Sequence, residues 1–182
     1  GNVTKVPGRV GAAAYELDWV PRAHGSVTPS VSFDSQSGVG QGPPGIMAER
    51  TRTVVVGSPL TLSVNAMDPS ERDREDFRFR EAIPLRVVWS QLQGPGRVEY
   101  TRHESNPEEE EEEEDDDDAA ASQRRPEPKG PQLIPLSEGH GTARVIVTFS
   151  APGEYLMLAQ VDNWSAPDSS SGDQCCWTNG YV

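Results

Sequence analysis

From about residue 51 onward, apolar side chains recur at every second position in short runs, the signature of strands that bury one face. Leu60, Leu62, Val64 and Ala66 alternate with polar neighbours. So do Leu85, Val87 and Trp89, then Ala143, Val145, Val147 and Phe149, and finally Tyr155, Met157, Ala159 and Val161. The β-branched run Thr51–Val56, the pair Val98 and Tyr100, the cluster Leu133, Ile134 and Leu136, and the closing Trp177–Val182 predict further strands. Turn residues punctuate them at Gly57-Ser58-Pro59, Gly94-Pro95-Gly96 and Ala151-Pro152-Gly153. Asn179-Gly180 is a turn pair expected to break the last strand, and Gly94–Gly96 is read as the turn of a hairpin joining the Trp89 strand to Val98 and Tyr100. Short strands at these spacings predict an all-β sandwich or barrel.

Three segments depart from that pattern. Residues 1–47 carry Pro7-Gly8 and Gly42-Pro43-Pro44-Gly45 and only short apolar islands such as Tyr15–Val20, which predicts an extended N-terminal arm with one or two short strands and no core of its own. Ser70–Ala82 is densely charged, with Phe77 and Phe79 two apart and no Gly or Pro inside, and reads as an exposed helical turn or long loop. Residues 104–130 hold the run Glu108–Asp118, then Ala119–Ala121, Arg124-Arg125 and three prolines. That composition predicts a disordered, low-complexity acidic insert interrupting one domain, residues 48–182, rather than separating two.

Composition agrees with a loop-rich chain carrying one core. Its 182 residues are 34% hydrophobic and include 17 glycines and 16 prolines. The formal net charge of −13 is local, since the eleven acids of Glu108–Asp118 leave about −2 for the rest. Scattered rather than clustered Lys and Arg argue against nucleic acid or an anionic membrane as partner. No run approaches the roughly twenty apolar residues of a membrane span, so direct membrane insertion is not expected, and no signal-peptide pattern opens the chain. A first residue of Gly1 rather than Met is what a processed product or a piece of something longer would show.

Leu85-Arg-Val-Val-Trp89, Gly94-Pro-Gly96-Arg-Val98, Thr148-Phe149-Ser-Ala-Pro-Gly153-Glu-Tyr155 and Val161-Asp162 together resemble PKD-like domains, a branch of the immunoglobulin-type β-sandwiches. The resemblance covers roughly Thr51–Val182 outside the acidic insert. It implies that Trp89, Gly94, Gly96, Phe149, Gly153 and Tyr155 form the signature of the core and its turns. The closing Gln174–Asn179 is similar to the tail of uncharacterised secreted bacterial proteins carrying this domain. From this resemblance follow an extracellular or periplasmic location and a bacterial source. Ser70–Ala82 and the insert are longer than the loops usual in the family, and the arm lies outside the resemblance. Each signature residue also has a plain structural reason, Gly153 permitting a tight turn and Trp89 filling the core centre beside Leu62, Val147 and Met157.

Candidate chemistry is sparse. His24, His103 and His140 lie in loop-like segments with no Cys, Ser or carboxylate at motif spacing, and no nucleophile elbow, phosphate loop or zinc signature appears, so no catalytic residue and no enzyme is expected. Calcium is the one candidate cofactor. Asp68 and Asp162 end strands whose loops should share one end of the sandwich, with Glu71, Asp73, Asn163 or Asp168 able to add oxygens. The competing reading has both aspartates capping turns through backbone N–H groups. The adjacent Cys175 and Cys176 cannot build a disulfide framework, and they read as small buried residues at a strand start or as an oxidised pair. The acidic run reads as a solubilising insert or a weak sink for cations or a basic partner. Asn2-Val3-Thr4 and Asn163-Trp164-Ser165 have the form of glycosylation triplets, and no role is assigned to them.

The expected function is a non-catalytic binding or spacer module acting through protein–protein contact with other subunits or cell-envelope components. An alternative is a structural subunit whose arm packs on a neighbour's sheet edge. A third is an accessory domain of a larger secreted enzyme.

Overall fold

The computed structural model describes residues 5–10, 13–18, 27–33, 38–42, 45–48, 52–71, 75, 83–106, 130–163 and 176–182. They form strands only: β1 (Lys5–Val10), β2 (Ala13–Asp18), β3 (Ser30–Ser32), β4 (Gly40–Gln41), β5 (Ile46–Met47), β6 (Pro59–Met67), β7 (Leu85–Gln93), β8 (Val98–Arg102), β9 (Leu133–Leu136), β10 (His140–Phe149), β11 (Leu156–Asp162) and β12 (Trp177–Tyr181). Strands β1 and β2 pair with each other, while the others build two five-stranded sheets, ordered β4-β3-β6-β10-β8 and β5-β12-β11-β7-β9. The period-two alternation of the sequence explains both sheets. Leu62, Val64 and Ala66 of β6, Ala143, Val145, Val147 and Phe149 of β10, Leu85, Val87 and Trp89 of β7, and Met157, Ala159 and Val161 of β11 are all buried in a single cluster fed by both sheets. Their polar neighbours in the strands stay partly or fully exposed.

The expected hairpin at Gly94–Gly96 does not form. Strand β8 leaves β7 and pairs instead with β10, Val98 opposite Phe149 and Arg102 opposite Val145. The turn therefore carries the chain from one sheet to the other. The place beside β7 is taken by β9, whose Leu136 faces Leu85 and whose Leu133 faces Val88. Strand β12 also differs from expectation, since Asn179 and Gly180 lie within its ladder opposite Gln160 and Ala159. Glycine is needed there for close approach: a Cβ on Gly180 would come 2.8 Å from the Phe33 ring. The Thr51–Val56 run is not a strand where it is described, from Arg52 on, and it ends in a turn closed by the Ser58 amide on the Val55 carbonyl.

The boundary expected at residue 48 runs through the sheets. Strand β3 pairs antiparallel with the end of β6, Ser30 opposite Met67, and Val31 is 1% exposed in the common core. Strand β5 pairs in parallel with β12, Ile46 opposite Gly180, and the Ala48 amide extends that ladder to the Tyr181 carbonyl. Residues 27–48 thus lend β3 and β4 to one sheet and β5 to the other. A short apolar island suffices, because Val31 needs only one face covered. Of Ser70–Ala82, read as a helical turn or long loop, only Ser70, Glu71 and Glu75 are described, while the acidic run Glu108–Asp118, His24 and the triplet at Asn2 fall outside the described residues.

Candidate functional site

Five of the six signature residues, Gly94, Gly96, Phe149, Gly153 and Tyr155, meet at one end of the sheets. Tyr155, just before β11, stacks tilted on Phe149 with ring centroids 4.5 Å apart, and its hydroxyl donates to the Ala151 carbonyl at 2.9 Å. A Cβ on Gly94 (φ +147°) would lie 2.2 Å from the Tyr155 ring, and one on Gly96 would lie 2.7 Å from its hydroxyl. A Cβ on Gly153 (φ +144°) would press within 2.6 Å of Pro95. The two turns are further tied by the Arg97 amide donating to Ser150 Oγ at 2.8 Å and the Ser150 amide to the Arg97 carbonyl at 3.1 Å. Gln91 Nε2 donates to the Gly96 carbonyl at 2.7 Å. This interlock is structural: it packs the crossover turn after β7 against the turn before β11. Trp89 lies deep in the core, 1% exposed, and its Nε1 has no hydrogen-bond partner among the described residues. Burial pushes the hydroxyl of nearby-strand Tyr100 above its ordinary value of 10, with a backbone hydrogen bond at Gln91 acting the other way.

Asp68 and Asp162 lie at the opposite end. Asp68 follows β6, and its amide donates to the Gly139 carbonyl. The Gly139 amide in turn donates to Leu136, which faces Leu85, the neighbour of Arg86. Their carboxylates, however, do separate work. Asp68 Oδ1 accepts from the Ser70 amide at 3.0 Å and from the Ser70 hydroxyl, the turn-capping arrangement. Asp162 is 1% exposed and meets Arg86 in a two-pronged ion pair, Nε to Oδ1 and Nη2 to Oδ2 both at 3.2 Å. Arg86 sits directly opposite Asp162 in the β7–β11 ladder, so register alone delivers the counter-charge. A guanidinium thus meets Asp162 where a calcium ion was expected. Among the described residues no group of three or more His, Cys, Asp or Glu side chains comes together in a metal-holding arrangement. Asp73 and Asp168 lie outside those residues. Asn163 is 0% exposed, which closes the Asn163 triplet to any modifying enzyme in the folded state.

Cys176 is buried and disulfide-bonded, and the chain has one other cysteine, the adjacent Cys175. Its φ of +70° makes it the one non-glycine residue in the left-handed region among those described. Two residues on, Thr178 is fully buried, its hydroxyl donating to the Pro29 carbonyl at 2.5 Å and accepting from the Gly42 amide at 2.7 Å.

Beside the Tyr155 interlock, the two sheets part to form an open groove of about 670 Å³ lined by Val54, Val56, Leu60, Phe149, Met157 and Val182 among others, with Arg52 and Glu154 as its charged members. Of its lining, Met47 and Val56 expose 58 and 43% of their surface. The sequence assigned this region to an ordinary strand, and its apolar run Val54–Val56 was the available signal. Arg86, Asn106 and Thr178 were missed altogether. The Asn106 side chain clasps the Arg144 backbone, Nδ2 to the carbonyl at 2.6 Å and the amide to Oδ1 at 3.2 Å, from inside the segment read as low complexity.

No protein-family model matches the chain, and no curated protein matches it. Among the described residues no helix is long and apolar enough to cross a membrane.

Proposed function

We propose that the chain is a non-catalytic module of PKD-like, immunoglobulin-type sandwich architecture that acts through protein–protein contact, and that its groove receives an extended apolar segment of a partner chain. The observation that carries this reading is the apolar groove whose lining includes the exposed Met47 and Val56, since exposed apolar side chains gathered at a concave site mark interaction surfaces. The disulfide at Cys176 supports an extracellular or periplasmic setting, where such bonds persist. Extended peptides selected from a displayed library against the purified chain should lose affinity by about tenfold or more when Met47 and Val56 are both replaced by Asp, a loss of roughly 1.4 kcal/mol per factor of ten. Binders indifferent to that change would remove the groove from the account.

The alternative, a subunit that lends an arm to its neighbour, is favoured by one feature. The β1–β2 hairpin forms a two-stranded sheet joined to neither larger one, and such hairpins gain stability by packing on something else. Light scattering of the full chain against a chain starting at Val27 tests it, an oligomer that dissociates on truncation being the expected sign of assembly.

A further inference from the structure

We infer that the outer edge of β8 is a self-association surface, on which a second copy of this chain adds its own β8 in antiparallel pairing and joins the two sheets into one. The hydrogen-bond phase of this edge follows from its neighbour β10. The Ser150 amide donates to the Arg97 carbonyl and the Asn106 side chain bonds the Arg144 backbone, while the Phe149 carbonyl turns the other way, to the Gly57 amide ahead of β6. In the register that sets Val98 opposite Phe149, the backbone groups of Glu99 and Thr101 therefore face β10, and those of Val98, Tyr100 and Arg102 point away from it. No described strand lies on that side, because β8 closes the order β4-β3-β6-β10-β8. The strand is five residues long, holds no Gly or Pro, and is anchored by Val98 and Tyr100 packing against the core.

The other sheet ends are closed to such pairing. In β9 the Trp89 amide donates to the Gln132 carbonyl, so Leu133 and Pro135 are the residues that turn outward. The Leu133 amide is already bonded to the Gly130 carbonyl, and Pro135 has no N–H to give. Strands β4 and β5 are two residues each. Proline, a spent amide and short length are devices that blunt an edge, and β8 has none of them. A second copy fits the edge they leave open. With Tyr100 opposite its own counterpart across a two-fold axis, the two tyrosines exchange both backbone hydrogen bonds, and Val98 meets Arg102 of the second copy at each end. On the exposed face Glu99 then lies opposite Thr101 of the second copy, so no like charges are directly opposed. The antiparallel sense also takes the two chains out of β8 at opposite ends, so the acidic runs Glu108–Asp118 that follow in sequence do not start side by side.

The test is sedimentation equilibrium of the full chain from about 5 to 500 µM, since a contact along one strand edge belongs with the small, weak interfaces. A monomer–dimer equilibrium within that range is expected. Amide hydrogen exchange read by NMR at both ends of the range should show the Tyr100 amide slowing by about fivefold or more as the dimer forms. The Glu99 and Thr101 amides, bonded to β10, should exchange slowly throughout. Thr101→Lys places a lysine opposite Glu99 of the second copy and should tighten the dimer by about twofold to fivefold. Adding Glu99→Lys sets lysines against each other twice and should loosen the dimer by about tenfold or more relative to Thr101→Lys alone. A chain that stays monomeric at the highest concentration would overturn the edge pairing, as would a dimer in which the Tyr100 amide exchanges as fast as in the monomer. Equal dimerisation of the two variants would equally refute it, because neither position would then face the second copy.

Discussion

The ring of Tyr155 occupies the space that any side chain at Gly94 would need, with a Cβ there only 2.2 Å from Cδ1. Gly94→Ala should therefore destabilise the fold by about 1–3 kcal/mol through overpacking alone, with its positive φ adding to the cost. Tyr155→Phe keeps the ring and loses the bond to Ala151, and should cost only about 0.5–1.5 kcal/mol. Denaturant unfolding of both variants checks the ranking, and a harmless Gly94→Ala would mean that the two turns are not interlocked.

Trp89 is the largest side chain buried at the centre of the shared core. Its truncation to Ala should cost about 3–5 kcal/mol. Trp89→Phe should cost less than the truncation, because the indole Nε1 has no hydrogen-bond partner to lose among the described residues. Thermal melting of the two variants distinguishes a core role from a peripheral one.

Asn106, inside the segment read as low complexity, is bonded to the Arg144 backbone. Removing 107–129 and joining the ends with a short Gly/Ser link should leave cooperative unfolding intact, because loop length changes closure entropy only slowly. Asn106→Ala should by contrast cost about 1–3 kcal/mol, leaving the Arg144 amide and carbonyl without their partner. Comparing melting temperatures of the deletion and the point variant separates the two effects.

At the other end, Asp162→Ala takes the paired carboxylate away from the Arg86 guanidinium in a site that is 12% exposed. Removing one partner of such a pair costs about 3–5 kcal/mol, whereas replacing both by apolar residues of similar size recovers much of the loss. The double variant Arg86→Met with Asp162→Leu should thus be more stable than Asp162→Ala alone. Calcium titration of the wild-type chain gives an independent check, since coordination at Asp162 would require displacing Arg86 and would raise the melting temperature.

Tyr100 supplies a pH signature. Its folded-state value lies above the unfolded value of 10 because burial disfavours the phenolate. The associated stability is fully present below pH 10 and is lost as the pH rises through the folded value. The gap in melting temperature between wild type and Tyr100→Phe should shift in favour of the Phe variant as the pH passes 10.

Residues whose roles follow from periodicity were legible in the chain. Trp89, Val147 and Met157 announce their burial by alternation, and Gly94, Gly153 and Tyr155 announce a crowded pair of turns. What alternation cannot encode is which strand sits beside which. Nothing local told that β8 would cross to β10, or that Leu133–Leu136 would come from beyond the acidic insert to flank β7. The same blindness hid the ion pair. Arg86 and Asp162 are far apart in sequence and become neighbours only through the β7–β11 register, so Asp162 looked like a carboxylate in need of a cation. Thr178 lies in a stretch read for its cysteines and its Asn-Gly pair, whereas its significance comes from its long-range contacts to Pro29 and Gly42.

The direction in which the chain threads the sheets has a mechanical consequence. Strand β3 starts beside Met67, at the Asp68 end, and β12 runs from Asp162 towards Val182, at the Tyr155 end. Tension applied through the flanks of this unit would then pull β3 and β12 along their own axes in opposite senses. The hydrogen bonds of β3 to β6, of β12 to β11, and of the parallel β5–β12 pair would bear that load side by side in shear instead of unzipping one at a time. Units strung in series in this way would yield only when a whole ladder slips at once.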